Sequence, residues 1–301
     1  MGKLCLALAL PGFLRVLGFA TEPLLSPGEI HRIVGEPARL NRTIPDLEHL
    51  SVVTWNIERG QQYESILKAL RTLDADVLLL QEVDRHARRT GYRDIARDLA
   101  HALDLNWVSG GEFQEIGEGR GNRPAITGQA ILSKVPISGA EVLTFGTQAK
   151  WKWSINPAQP RRGGRIALKA RTAGRLLYNV HIESGGNDSL QRRQIAEVLE
   201  DESREAVVST GPVIIGGDFN NGPLLRSTML RSLSVADFTD ALGVRDTRGP
   251  TAFGQQHPID WIFLKNARGV RGHIVDTKSA SDHFPVFAAV GPLVSVAGLA
   301  R

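Results

Sequence analysis

A single cysteine, Cys5, is the only thiol in this 301-residue chain. One thiol excludes an intrachain disulfide and a cysteine-based zinc cluster. A hard cation held by oxygen ligands would need none. Long apolar runs are missing too: no stretch approaches the roughly 18 uninterrupted apolar residues of a membrane span. Internal repeats and low-complexity tracts are absent. There is no strong charge imbalance. A net charge of +4 and a pI near 9.4 lean mildly toward an anionic partner, well short of an obligate nucleic-acid binder. What is present is ordinary globular composition, 42% hydrophobic and 23% charged, compatible with one large domain or two small ones.

The N-terminus carries two readings. Lys3 precedes the apolar run Leu4 to Leu10, which could be the core of a signal peptide. Pro11 and Arg15 interrupt it, and no clean small-x-small cleavage site follows. The balance favours a cytoplasmic chain, with export or an envelope location as the alternative. Residues 1–46 are expected to be an N-terminal extension, a weak signal or anchor or a disordered arm. The domain then spans residues 47–293, with a tail at 294–301.

From residue 47 onward, apolar strand-like runs alternate with amphipathic runs. Ser51–Ile57 and Asp76–Glu82 read as strands, and Ile66, Leu67, Leu70 and Leu73 mark one face of a helix between them. Ile95, Leu99 and Leu103 mark another. Ala130–Lys134, Arg165–Arg171, Leu176–Ile182, Pro212–Phe219, Trp261–Leu264 and Val286–Val290 read as further strands, and Ser189–Val208 as a long helix. Gly110–Gly128, Thr147–Gly164 and Gly243–Pro258 read as loops, the usual home of substrate contacts. The mixture implies an α/β fold with two sheets face to face and helices outside.

Pro212–Asn220 is the most informative segment. An apolar strand runs into Gly216-Gly217 and then presents Asp218 and Asn220. Residues two apart in an extended chain point to one side, so a carboxylate and an amide aim at one spot. The design recurs as Trp55-Asn56, Gln81-Glu82, His181, Ile259-Asp260 and Ser281-Asp282-His283. One such residue alone is a turn former or a hydrogen-bonded structural group. Six in this order are a constellation.

That series resembles the endonuclease/exonuclease/phosphatase superfamily over about residues 50–291. Its members include pancreatic-type deoxyribonucleases, abasic-site endonucleases, bacterial sphingomyelinases, inositol polyphosphate 5-phosphatases and deadenylases. Gly128–Ile137 looks like the family's central strand. The resemblance implies a four-layer sandwich of two packed mixed β-sheets flanked by helices, with the site at one edge of both. It also implies a Mg²⁺-dependent hydrolase of phosphoester bonds, with Mn²⁺ as a substitute metal. A phosphodiester already carries negative charge that repels hydroxide, and a cation on its non-bridging oxygen relieves this. Mg²⁺ prefers few protein oxygens and keeps several waters. By resemblance, Glu82 and Asn56 hold the metal, joined by Asp282. Asp218 orients or deprotonates the water, and Asn220 holds the water or the phosphate. His283 meets a phosphate oxygen, Asp260 pairs with its ring, and His181 is a second donor near the phosphate. Abasic-site endonucleases are expected to carry tyrosine where this chain has His181, which departs from the repair pattern.

The substrate is less legible. Arg85, His86, Arg88, Arg89 and Arg93 follow the Glu82 strand, and Arg120 and Arg123 sit in the first expected loop. Lys150-Trp151-Lys152-Trp153 and Arg161-Arg162 form a second basic stretch. Arg123, Arg161 and Arg162 are the expected substrate contacts. Tryptophans between cations could stack on bases, lie at a lipid interface, or pack under a loop. The leading expectation is a monomeric phosphodiesterase with nuclease activity. The alternative is a phospholipid or small-molecule phosphodiesterase or phosphatase, sphingomyelinase-like. The third reading is a non-catalytic binder of nucleic acid or a partner.

Overall fold

The computed structural model describes residues 22–40, 48–149, 155–156, 159–184, 188–208, 210–243, 250–277 and 280–293. The Trp151–Trp153 stretch and the tail at 294–301 lie outside them.

In chain order the elements are α1 (Pro27–Ile30), β1 (Ile33–Glu36), β2 (Leu50–Arg59), α2 (Tyr63–Leu73), β3 (Val77–Arg85), a 3₁₀ turn (Arg88–Thr90) and α3 (Ile95–Leu103). Next come β4 (Asn106–Arg120), β5 (Arg123–Ser133), β6 (Ile137–Thr144), β7 (Ile155–Asn156), β8 (Gln159–Gly163), β9 (Ile166–Thr172), β10 (Arg175–His181) and α4 (Asp188–Val208). The last group is β11 (Val213–Asp218), α5 (Pro223–Val235), β12 (Thr239–Asp240), β13 (Asp260–Lys265), β14 (Ala267–Ile274) and β15 (Val286–Pro292). One sheet runs β14-β15-β2-β3-β5-β4-β8-β7, with β1 on the edge of β4; the other runs β12-β13-β11-β10-β9-β6.

Among the described residues, period-two alternation sorts most buried side chains into three main cores, and three stacked cores make four layers. On β2 and β3, Val53, Trp55, Leu78 and Leu80 meet Ile66, Leu70, Ile95 and Leu99 of α2 and α3. The opposite faces, Val52, Val77 and Leu79, meet Leu177, Ile214 and Ile262 of the second sheet. Tyr178, Val180, Ile215 and Phe263 turn outward onto Ile195, Val198, Met229 and Leu233 of α4 and α5. Each such side chain contributes roughly 1.5–3 kcal/mol on burial. The sandwich of two mixed sheets with flanking helices follows.

The space between the sheets changes character along the strands. It begins apolar, with Val52, Leu79, Leu177 and Ile214. It then turns polar: Gln81 Nε2 donates to Thr54 Oγ1 (3.0 Å) and Asn179 Oδ1 (2.6 Å). Asn179 Nδ2 donates to the carbonyls of Leu80 and Ala130, both at 2.9 Å. Those carbonyls belong to the last pair before the β3–β5 register slips. Asn179 thus satisfies backbone groups beside an irregularity and ties the sheets together. Beyond it the same faces present Asn56, His181 and Asp218.

Three expectations are corrected. Gly110–Gly128 is not loop but the paired strands β4 and β5. Its glycines serve close packing: a Cβ on Gly128 would collide with the carbonyl oxygen of Gly110. Part of Thr147–Gly164 is also strand, β8 pairing with β4 at Phe113↔Gly163. The domain also begins before residue 47. β1 pairs with β4 from Ile33↔Gly110 to Glu36↔Trp107 and covers that edge, and Ile30 of α1 is buried.

Candidate active site

Four strand ends converge at one edge of the sandwich. Parallel pairing of β10 and β11 sets His181 beside Asp218, and antiparallel pairing of β11 and β13 sets Asp218 beside Asp260. Asn56 faces them from β2 of the other sheet. The Ser281-Asp282-His283 segment is knitted onto that strand. Ser281 Oγ donates to Asn56 O (2.7 Å), and Trp55 Nε1 donates to His283 O (2.9 Å). Thr251 clamps the far side, its Oγ1 accepting the N–H groups of Ile259 (2.9 Å) and Asp260 (3.0 Å).

Backbone strain collects here. Glu58, Arg59, Glu82 and Asn220 all have left-handed φ, between 45° and 65°. Each sits where a strand bends out of its ladder, and β2 and β3 both slip register at these points. Left-handed non-glycine residues clustered at one edge mark a site whose geometry the surrounding packing enforces.

Asp218 lies at the centre. It is 1% exposed. Its Oδ1 accepts the backbone N–H of Asn220 (2.8 Å). Its Oδ2 accepts Asn56 Nδ2 at 3.2 Å and lies 3.4 Å from His181 Nε2 and 3.8 Å from His283 Nε2. Burial holds the carboxyl above its ordinary range, with the His283 charge pulling it back and the Asp260 charge adding to the rise.

The two histidines are held differently. His283 Nδ1 donates to Asp260 Oδ2 at 2.9 Å. Burial alone would lower this imidazole, but the Asp260 and Asp218 carboxylates outweigh it and raise its pKa to about 10. His283 is therefore an imidazolium at neutral pH. His181 is 1% exposed, and Arg165 Nη1 lies 2.8 Å from its Nδ1. A guanidinium has only donors, so Nδ1 must accept and the ring proton sits on Nε2, facing Asp218. Burial, then the Arg165 and His283 charges, hold His181 well below its ordinary pKa. Arg165 is balanced by Glu112 at 2.9 Å, whose other oxygen accepts Gln129 Nε2 (2.7 Å). Burial raises Glu112 to about 7, with Arg165 opposing.

A second acidic group lies beside this core. Glu82 sits 3.8 Å from Arg59, and Asp282 is exposed. Glu58 is raised by burial and then by the charges of Asp282 and Glu82. Asn56 Oδ1 accepts the Glu58 N–H (3.1 Å), so Asn56 spans both groups. The geometry also brings ligand atoms of Asp218, Asp260 and His283 within 4.8 Å of one another. An ion there would displace the His283–Asp260 hydrogen bond and compete with an imidazolium. Asn56, Glu58, Glu82 and Asp282 offer hard oxygens with crowded negative charge, which suits a divalent cation better.

Of the expected residues, Asn56, His181, Asp218, Asp260 and His283 form one contact network, and Glu82 and Asp282 adjoin it. Asn220 differs in detail: its Nδ2 donates to Ile182 O (3.0 Å), and its link to the site is its own N–H on Asp218. Arg161 faces the network but is buried and paired with Glu115 at 2.8 Å. Arg162, one residue on, points to the other face and lines a separate cavity with Leu25, Pro27 and His31. Arg123 lies at the β4–β5 turn, away from the core of the site. Glu112 and Arg165 were not expected here, because they lie in or beside segments that read as loop. Glu58, one position past the expected strand Ser51–Ile57, was not singled out either.

Two packed sheets that converge on a carboxylate, a His–Asp pair and an acidic cluster define a hydrolytic site of the phosphoester type. The chain belongs to the endonuclease/exonuclease/phosphatase family, whose model matches residues 53–283. Family members are hydrolases acting on phosphoester bonds and typically use divalent metals. A UPF0294 protein of Yersinia enterocolitica is 25% identical over 261 residues, covering 83% of this chain and 86% of the relative. The endonuclease/exonuclease/phosphatase from Beutenbergia cavernae superposes with a TM-score of 0.61 at 21% identity, covering 81% of this chain and 72% of that one. The mannosyl-6-phosphatase of Bacteroides thetaiotaomicron superposes with a TM-score of 0.59 at 18% identity, covering 80% and 99%. Among the described residues, no helix is long and apolar enough to cross a membrane.

Proposed function

We propose that this chain is a divalent-metal-dependent phosphodiesterase that cleaves nucleic acid. The observation that carries the reading is Asp218: a buried carboxylate with its pKa raised, flanked by a neutral N–H donor and an imidazolium. A base is most effective when its pKa lies near the working pH. Asp218 takes the proton of the attacking water. His283, oriented by Asp260, places its positive charge on a non-bridging phosphate oxygen as charge builds there. His181 presents Nε2–H on the opposite side and steadies the phosphate or the leaving oxygen. Asn220 holds Asp218 through its backbone N–H. Asn56, Glu82, Asp282 and Glu58 would hold Mg²⁺, with Mn²⁺ as a substitute, and the ion would supply charge neutralisation at the phosphate.

The test is hydrolysis of plasmid DNA, RNA, bis(p-nitrophenyl) phosphate and a sugar phosphomonoester, side by side, with Mg²⁺ and with chelator. Metal-dependent cleavage of the nucleic acids is expected. Metal-dependent turnover of the monoester alone would replace this reading with a phosphatase. No turnover of any substrate would leave a binding protein.

A further inference from the structure

One basic feature is not used by the chemistry above. The turn joining β4 to β5 closes with Arg120 directly opposite Arg123 across Gly121-Asn122. Gly121 has φ +59° and Asn122 does not share it, the pattern of a tight two-residue hairpin turn with glycine first. Like charges directly opposite destabilise a strand pair. Neither arginine has a carboxylate within ion-pair distance among the described residues. Arg120 instead lies over the Tyr92 ring, 5.6 Å from its centre. The nearby carboxylates are committed elsewhere. Glu118 pairs with Arg88 and accepts the Arg89 N–H, and Glu22 accepts the Gly117 N–H.

These groups enclose a depression of about 500 Å³, lined by His86, Tyr92, Arg120, Gly121, Asn122 and Arg123. Burial and then the charges of Arg85, Arg123 and Arg97 hold the His86 imidazole below its ordinary pKa, against Asp94. It is thus a neutral hydrogen-bonding group amid cations, on a wall with an aromatic ring. That is the chemistry of a phosphate site.

Its position follows from strand register. β3 runs from Glu82 at the acidic cluster to Arg85, which pairs with Ile126 of β5, and β5 begins three residues further out at Arg123. Three residues of strand span about 10 Å, so the depression lies about 10–20 Å from the acidic cluster on the same sheet edge. Along a duplex this distance covers about three to six phosphates of one strand, at about 3.4 Å of axis each.

We propose that the His86–Tyr92–Arg120–Arg123 depression binds a phosphate of a nucleic-acid strand several nucleotides from the bond being cleaved. The proposal rests on the nuclease reading. It makes the chain a reader of extended strands rather than of isolated phosphodiesters.

Binding tests it without turnover. A 5′-fluorescein 12-nucleotide single-stranded DNA is titrated by anisotropy in excess EDTA over a range of salt. Arg120→Ala/Arg123→Ala should weaken binding about tenfold or more and reduce the slope of log K against log salt by about 0.7, the value for one phosphate on a single strand. Arg120→Lys/Arg123→Lys should keep most of that slope. Arg192→Ala/Arg193→Ala, which removes the same charge from the exposed side of α4, should change neither. Equal losses in the α4 variant would reduce the effect to net charge and overturn the proposal, as would unchanged binding in the hairpin variant. Competition by inorganic phosphate without measurable strand binding would also overturn it. Strand binding that depends on the hairpin arginines, without hydrolysis in any assay, would keep the depression and remove the nuclease reading. Hydrolysis of DNA with no hairpin effect on binding would do the reverse.

Discussion

His181 and His283 approach the same oxygen of Asp218 from two sides, yet their surroundings hold them in opposite states. His283 leans on a carboxylate, Asp260, and keeps its proton far above neutral pH. His181, wholly buried, leans on a guanidinium, Arg165, and burial and that charge together keep it neutral. The same side chain becomes a cation on one flank and an uncharged donor on the other, because the partner of Nδ1 differs. Two imidazolium rings at this spacing would repel each other and overstabilise the Asp218 carboxylate, lowering its basicity. One of each leaves Asp218 able to accept a proton while a positive charge remains for the phosphate.

The largest expected effect comes from removing what the two flanks share. Asp218→Asn should lower turnover by several orders of magnitude and leave the circular dichroism spectrum and melting temperature close to the parent's. An active variant would take Asp218 out of the chemistry. Next is the cationic flank. His283→Ala should cost about two to three orders of magnitude in kcat, the scale of one lost electrostatic contact to the transition state. Asp260→Asn should cost less, since it only holds the ring. An Asp260→Asn loss as large as that of His283→Ala would mean that the carboxylate acts directly.

The neutral flank predicts a pH effect. As pH falls, unfolded chains protonate this histidine before folded ones do, because its folded pKa is lowered. Its contribution to stability is present above the ordinary pKa of about 6.5 and is lost as pH falls toward the folded value. Arg165→Met alone would strand Glu112 and cost about 3–5 kcal/mol. The paired variant Arg165→Met/Glu112→Gln is therefore the useful one. In it the His181 pKa, read from its ring nitrogen signals across a pH titration, should move up toward its ordinary value. An unchanged pKa would mean that Arg165 does not control the ring.

The smallest effect belongs to Asn220. Its amide holds Ile182 O, so Asn220→Ala should cost about 1 kcal/mol of stability and lower kcat less than His283→Ala does. A loss matching that of Asp218→Asn would restore the amide to the substrate.

The cationic flank was more legible in sequence than the neutral one. Asp260, His283 and Asp218 stand at the ends of apolar runs, where period-two alternation shows which way a polar residue points. The strands β2, β3, β10 and β11 were legible for the same reason. Arg165 and Glu112 could not be paired from sequence. They lie 53 positions apart, and Glu112 sits in a glycine-rich stretch that reads as loop. The glycines there meet a packing demand between strands, which only the partner strand reveals. β1 was missed because its value lies in covering the edge of β4, and four residues carry little periodicity of their own.

The most direct measurement is a two-dimensional ¹⁵N–¹H correlation of the histidine ring nitrogens at neutral pH, with His181 and His283 assigned by substitution. The account predicts a neutral Nε2–H tautomer for His181 and a doubly protonated ring for His283 in the same sample. Matching protonation states for the two rings, or a proton on Nδ1 of His181, would contradict it.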